Sequence, residues 1–149
     1  MNCELISKLS IDVQKILKQE LKCYLRLIEL SERQRYFIHL GDIYALMSIL
    51  SQKEVLIGKI SHLENSIQNI FRPFPELREQ MPESVNRLIN TIIAVLERLH
   101  VLEKESEAKF IEKYNEMKKE LLNLKQTKTI LKTYVPKKVY RPRFIDKKT

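Results

Sequence analysis

Three histidines could transfer protons or bind a metal, because a carboxylate follows each of them by two or three positions. The pairs are His39 with Asp42, His62 with Glu64, and His100 with Glu103. Such pairs are common on any charged helix, where both side chains are solvated. We therefore expect surface residues at these positions, with neither a bound metal nor a catalytic base.

Three alternating glutamates, Glu103, Glu105 and Glu107, are acidic enough to attract a cation. Glu105 also precedes Lys109 by four residues, the spacing at which opposite charges pair on one face of a helix. We expect this ion pair to account for the acidic residues without a bound ion.

The motifs of common enzyme classes are missing from the sequence. It has no glycine-rich phosphate loop and no nucleophile elbow. Cys3 and Cys23 lie twenty residues apart, too far for a local metal-binding pair, and unpaired cysteines are typical of a reducing compartment. We expect a protein that is not an enzyme, has no cofactor and lies in the cytoplasm.

The net charge of +8 is concentrated near the C-terminus. Residues 132–149 contain seven basic residues against one acidic residue, so this segment carries +6 and residues 1–131 only +2. Nucleic-acid binders spread positive charge along a face or a helix, and membrane spans need about 20 consecutive apolar residues. The sequence has neither pattern, so we expect no stable binding to nucleic acid or membrane.

Residues that break helices are rare. Gly41 and Gly58 are the only glycines, and no glycine or proline occurs between Pro82 and Pro136. This spacing predicts an all-α fold, an elongated antiparallel helical bundle or coiled coil with three long helices and a short basic C-terminal tail. We place the bundle in residues 1–133, with helices at about 10–40, 42–71 and 83–133, and the tail in residues 134–149.

The ends of the predicted helices follow from capping residues. Ser10 or Asp12 could cap the first helix. Gly41 could close it in the left-handed conformation, and Asp42 could cap the second helix. A first helix that continues straight through Gly41 is the alternative, at a cost of about 1 kcal/mol.

The predicted second and third helices each carry an apolar stripe with steps of three and four residues, as in a coiled coil. In the second helix the stripe is Leu46, Ile49, Lys53, Leu56, Ile60, Leu63, Ile67 and Ile70. In the third helix it is Val85, Leu88, Ile92, Val95, Leu99, Leu102, Ser106, Phe110, Tyr114, Met117, Leu121, Leu124, Lys128 and Leu131. We expect a bend or a loosening near Glu103 to Lys109, where successive steps of four interrupt the repeat. We also expect Phe74 and Leu77 to cover one end of the bundle, and the third helix to project past the other two.

The basic tail also contains apolar and aromatic side chains, which solvated tails usually lack. They are Tyr134, Val135, Val139, Tyr140, Phe144 and Ile145. The tail therefore either packs back on the bundle or docks on another protein.

The chain resembles the FlgN family of flagellar type III export chaperones. The resemblance rests on residues 27–64 with Leu40-Gly41-Asp42, on the long helix with Leu121-Leu122, and on the tail with Leu131 to Tyr134 and Arg143 to Lys148. The tail is the most specific of these stretches. It departs from family members whose tails contain several glycines.

The resemblance implies a chaperone for flagellum biogenesis that binds the C-terminal helices of the hook–filament junction proteins of the FlgK and FlgL type. It would keep them unassembled and deliver them to the export gate protein FlhA. The resemblance implies a client-binding surface from Leu121 through Ile145. From the apolar face of the third helix and the apolar residues of the tail, we expect the client-binding residues to be Met117, Leu121, Leu124, Ile130, Leu131, Phe144 and Ile145. The alternative for the helix residues is that they close the bundle. Tyr134, with Tyr140 as the alternative, would dock on the gate.

The main alternative is a structural coiled-coil protein that forms a homodimer through the stripe of the second helix. Lys53 within that stripe would then control the register of the two chains. The basic tail would lie on an acidic surface, either a membrane or a nucleic acid.

Overall fold

A computed structural model describes residues 2–127 of the chain, and these residues form an all-α helical bundle. Three α-helices and one short 3-10 helix follow in the order α1 Asn2–Leu40, α2 Ile43–Phe71, the 3-10 helix Pro75–Gln80, and α3 Glu83–Thr127. No strand occurs within the described range. The predicted fold class is confirmed. The expected end of the third helix near residue 133 and the tail at 134–149 lie outside the described residues.

Helix α1 is the central helix, and α2 runs antiparallel to it. The Tyr24 hydroxyl donates to Glu64 Oε1 at 3.4 Å, and the Lys53 ammonium donates to Gln34 Oε1 at 2.7 Å. As the α1 residue number rises from 24 to 34, its α2 partner falls from 64 to 53. Two neighbouring helices that are joined by a short turn run antiparallel to each other.

Helix α3 runs parallel to α1 on its other side. Gln14 Nε2 donates to the Ser84 hydroxyl at 3.1 Å near the start of α3, and the Ser31 hydroxyl donates to Glu103 Oε1 at 2.6 Å farther along. Helix α1 packs closely against both neighbours, whereas the backbones of α2 and α3 stay farther apart.

The first helix begins earlier than expected. It starts at Asn2, so the prediction that Ser10 or Asp12 caps it is wrong. Ser10 is instead buried within the helix, where its hydroxyl accepts a hydrogen bond from Gln14 Nε2 at 2.9 Å. Three apolar residues before Ser10 pack against the core and extend the apolar face of α1: Leu5, Ile6 and Leu9.

The turn between α1 and α2 forms as expected. Gly41 has a φ of 70°, its N–H donates to Ile38 O, and the Asp42 N–H donates to Phe37 O. This is the pattern in which a left-handed glycine closes a helix. The Asp42 carboxylate then accepts from the Ala45 N–H at 3.1 Å and caps α2, so the alternative of one uninterrupted helix is wrong.

The predicted stripes face the core. Every member of the α2 stripe is buried or half-buried, as is every member of the α3 stripe from Val85 to Tyr114. Beyond α2, Leu77 is buried and Phe74 packs against the core, so the predicted cover at this end of the bundle is confirmed. The Arg78 guanidinium also lies 5.2 Å from the centre of the Phe71 ring.

A polar network crosses the middle of the bundle. Lys53 is buried in the α2 stripe, and its ammonium forms an ion pair with Glu103 of α3 while donating to Gln34 of α1. The Ser31 hydroxyl donates to the same Glu103 oxygen. The lysine that interrupts the stripe therefore has its partners inside its own chain.

In the polar part of α3, the ion-pair partner of Glu105 differs from the one expected. Glu105 forms an ion pair with Arg35 of α1, and not the predicted pair with Lys109. The helix continues without interruption through this region. Contact with α1 gives the glutamate a partner on a neighbouring helix, which the spacing along α3 alone could not reveal.

The two cysteines are free and differ in exposure. Cys3 is exposed near the start of α1, and Cys23 is buried in the core.

The two glycines allow a matched test of the α1–α2 turn. An added Cβ meets no atom within 4 Å at either position, but only Gly41 has a positive φ. Gly41→Ala should lower the free energy of unfolding by about 1–2 kcal/mol, because an L-residue is strained in the left-handed region. Gly58→Ala should raise it by about 0.5–1 kcal/mol, because Gly58 is an exposed residue in the interior of α2, where alanine favours the helix. Urea unfolding of both variants measures the difference. Equal changes in the free energy of unfolding would contradict the left-handed conformation of Gly41.

The network allows a second test. Lys53→Met should lower the free energy of unfolding by about 1–3 kcal/mol, because Gln34 and Glu103 lose a partner in a partly buried site. The double variant Lys53→Met with Glu103→Leu should recover most of that loss, since the carboxylate whose charge Lys53 balances is then removed as well. Urea unfolding of four proteins, the unmodified chain, Lys53→Met, Glu103→Leu and the double variant, gives the coupling energy. Additive losses would mean that the two side chains act independently.

Candidate protein-docking surfaces

Among residues 2–127, the register between α1 and α3 leaves the end of α3 without a neighbouring helix. Hydrogen bonds join Gln14 to Ser84 and Arg35 to Glu105, so contacting residues differ by 70 in number. Helix α1 ends at Leu40 and therefore lies level with residue 110 of α3. Residues 111–127, which we call the arm, extend about 25 Å beyond α1 at 1.5 Å per residue.

The apolar stripe of α3 continues onto the arm, where it is open to solvent. Met117 is 58% exposed and Leu124 is 51% exposed, and Leu121 between them is half-buried. Spacings of four and three place the three side chains on one face. The same face of α3 is covered by α1 and α2 nearer the start of the helix.

Three of the predicted client-binding residues, Met117, Leu121 and Leu124, thus come together on the arm. The other predicted site residues lie outside the described residues: Ile130, Leu131, Tyr134, Tyr140, Phe144 and Ile145.

A second apolar surface, which we call the tip, surrounds the α1–α2 turn. Its members are Tyr36, Leu40, Ile43, Tyr44 and Met47, all at least half exposed. Tyr44 is the most exposed of them, at 88%. Sequence reasoning missed the tip, although apolar residues on both sides of Gly41 and outside the stripes were a signal for it. Tyr36 and His39 share a surface depression with Glu112 of the arm, so the tip and the arm meet in one corner.

The three histidines are exposed, as expected for surface residues. The described part of the chain contains no group of three side chains placed to hold a metal ion. Within the same range, no helix has the length and apolar character needed to cross a membrane.

A groove of about 530 Å³ lies between α2 and α3, with α1 as its floor. Tyr24 and Leu27 form the floor, Leu50 and Ile57 line the α2 side, and Leu99 lies on the α3 side. Four acidic or basic side chains lie among the remaining lining residues: Lys53, Glu54, Glu64 and Glu103. Sequence reasoning missed the groove, because Leu50 and Ile57 each lie one position from the stripe and belong to no repeat of their own.

Near the groove, α1 carries a buried carboxyl group. Glu20 lies one turn before Tyr24 and is 5% exposed, and its Oε1 atom has no hydrogen-bond partner. Burial, with repulsion from Glu64, raises the pKa of Glu20 to about 7. Burial and the Glu64 carboxylate likewise raise the pKa of the Tyr24 hydroxyl to about 12. The inner end of the groove therefore disfavours added negative charge.

The raised pKa of Glu20 predicts a pH-dependent stability. Between pH 4.5 and about 7, Glu20 keeps its proton in the folded protein and loses it in the unfolded chain. The contribution of Glu20 to the free energy of unfolding therefore falls as the pH rises through that window. At pH 8, Glu20→Gln should therefore be more stable than the unmodified chain by about 1–2 kcal/mol. At pH 4.5, the two proteins should have similar free energies of unfolding.

Urea unfolding at the two pH values measures the difference, and Glu97→Gln on the exposed face of α3 is the matched control. A Glu20→Gln variant that is equally destabilised at both pH values would show that the carboxylate makes a stabilising contact.

Comparison with known proteins identifies no relative of the chain. No family model, no curated protein and no solved structure matches the chain. The resemblance to the FlgN family therefore stays a prediction carried by residues of this chain alone.

Proposed function

We propose that this protein is a flagellar export chaperone of the FlgN type, located in the cytoplasm. It binds the C-terminal helices of hook–filament junction proteins of the FlgK and FlgL type, prevents their premature assembly and delivers them to the export gate protein FlhA. The observation that carries the proposal is the arm, a helix whose apolar stripe continues after its neighbours have ended.

The arm suits a helical client on physical grounds. Terminal helices of an assembling protein expose apolar stripes before assembly, and an apolar helix face can cover such a stripe. Met117 and Leu124 supply that face, and both have at least half of their surface free. The tip lies in the same corner and enlarges the apolar area toward the roughly 1,000 Å² or more that a specific interface buries.

The proposed site extends past Thr127 into the segment that the resemblance marks as part of the client surface. Ile130, Leu131, Phe144 and Ile145 would continue the client contact. Tyr134 or Tyr140 would dock on the gate. The roles of the two tyrosines come from the resemblance alone, and Ile130 and Leu131 come from the apolar pattern predicted for the third helix.

The burial of the α2 stripe favours the chaperone over a homodimer formed through that stripe. Leu46, Ile49 and Ile60 are all buried within the single chain. Lys53, which would have set the register of a dimer, has Gln34 and Glu103 as partners instead. A dimer of that kind would have to open the core of the monomer.

Substitutions on the arm test the proposal. Met117→Asp combined with Leu124→Asp should weaken binding to FlgK- or FlgL-type proteins from the same genome by about 30-fold or more. The loss of two apolar contacts near the centre of an interface costs about 2 kcal/mol or more. Isothermal titration calorimetry measures the affinity.

Val55→Asp is the matched control, because Val55 is 72% exposed on α2, outside the arm, the tip and the groove. Both variants should retain the helical circular dichroism signal, since none of the three side chains is in the core. Unchanged client affinity in the arm variant would contradict the proposed site, and no client affinity in the unmodified chain would contradict the proposed function.

A further inference from the structure

The groove between α2 and α3 combines an apolar interior with an acidic edge. Leu27, Leu50 and Leu99 contribute apolar surface to its lining. Glu54 and Glu64 stand exposed on the α2 side, while Glu103 is paired with Lys53. The lining thus holds three carboxylates against one ammonium group, and this excess of acidic side chains gives the groove a negative edge.

Glu20 lies on α1 next to the groove but outside its lining, and it is a further carboxyl group that a nearby positive charge would stabilise. It is 5% exposed, and its Oε1 atom has no hydrogen-bond partner. It lies one turn from Tyr24 of the groove floor, and it is close enough to Glu64 for the two carboxylates to repel each other. Buried polar atoms normally have a partner, so an orphaned oxygen beside a like charge points to a missing donor or cation.

The matching chemistry occurs in the sequence of this chain. Residues 132–149 carry a net charge of +6, compared with +2 for the remaining 131 residues. The segment also contains six apolar or aromatic side chains between its basic residues. Solvated tails usually lack apolar and aromatic side chains. A segment that combines them with basic residues is complementary to an apolar groove with an acidic edge.

We propose that the α2–α3 groove is the docking site for the chain's own C-terminal segment, residues 132–149, with its basic side chains on Glu54 and Glu64 and its apolar side chains against the floor. The proposal does not depend on the proposed chaperone function, in which Phe144 and Ile145 would leave the groove to contact the client.

The length of the segment permits this return. Glu64 contacts Tyr24, which is level with residue 94 of α3 in the register of 70, so Glu64 lies about 50 Å back along α3 from Thr127. An extended chain covers about 3.3 Å per residue, so Phe144 can reach about 56 Å from Thr127. Phe144 and Ile145 can therefore reach the level of Glu64, and the basic residues before them can reach the rest of the groove.

The covalent link favours the chain's own segment over other occupants. A tethered segment has an effective concentration of about millimolar, so weak charge and apolar contacts are enough to hold it. A second copy of the chain at low micromolar concentration lacks this advantage.

Zero-length cross-linking tests the proposal on the unmodified full chain. A carbodiimide joins a lysine ammonium to a carboxylate that contacts it, and mass spectrometry identifies the pairs. At low micromolar concentration, the lysines of residues 132–149 should couple within one chain to Glu54 or Glu64 at least about threefold more often than to Glu79 or Glu97. These two control residues are also exposed and lie outside the groove.

Three outcomes would overturn the proposal. The first is coupling to all exposed glutamates at similar frequency, which indicates a tail without a preferred site. The second is coupling only between chains, which indicates a second copy in the groove. The third is no coupling to Glu54 or Glu64.

Tryptic cleavage at the tail's basic residues gives a second measurement that does not depend on coupling chemistry. Glu54→Gln with Glu64→Gln should speed the initial cleavage within residues 132–149 by about threefold or more, because docking no longer protects it. Glu79→Gln with Glu97→Gln should leave the rate unchanged. Circular dichroism checks that both variants are folded, and equal rates in the two folded variants would contradict the proposal even if client binding is intact.

Discussion

The register between α1 and α3 is the constraint on which the rest of the structure depends. Hydrogen bonds at both ends of the contact hold the same offset of 70 residues, from Gln14 with Ser84 to Arg35 with Glu105. With that offset fixed, the length of α1 decides where α3 loses its neighbour. A helix of 45 residues beside one of 39 that starts farther back must extend beyond it, so α1 cannot cover the last part of the α3 stripe. The arm is thus a consequence of helix lengths and register, and it needs no special residue of its own.

The polar network in the middle of the bundle helps to explain why this register is unique. Apolar stripes alone tolerate a shift by one heptad, because each repeat resembles the next. Lys53 breaks that equivalence, since it can meet Glu103 and Gln34 in only one alignment of the three helices. We interpret the buried lysine as a residue that selects the alignment at some cost in stability, a use of buried polar groups known from coiled coils.

The sequence predicts the helices and stripes well and the surfaces less well. Sparse glycine and the cap at Asp42 are local signals, and they located the α1–α2 turn correctly. The start of α1 was misplaced, because Ser10 looks like a cap when the burial of the apolar residues before it is unknown. The arm was expected from helix length, with Met117, Leu121 and Leu124 on it. The groove and the partner of Glu105 depend on which helices become neighbours, and no spacing along one helix contains that information.

The contrast between the two cysteines has a practical consequence. Cys3 is exposed near the start of α1, whereas Cys23 is buried in the core, so a thiol reagent will modify Cys3 first while the protein stays folded. Because α1 runs toward the tip, Cys3 lies about 56 Å from Leu40 along the helix. The chain therefore carries a natural attachment point for a fluorophore or a surface tether, on the far side of the molecule from the tip and the arm.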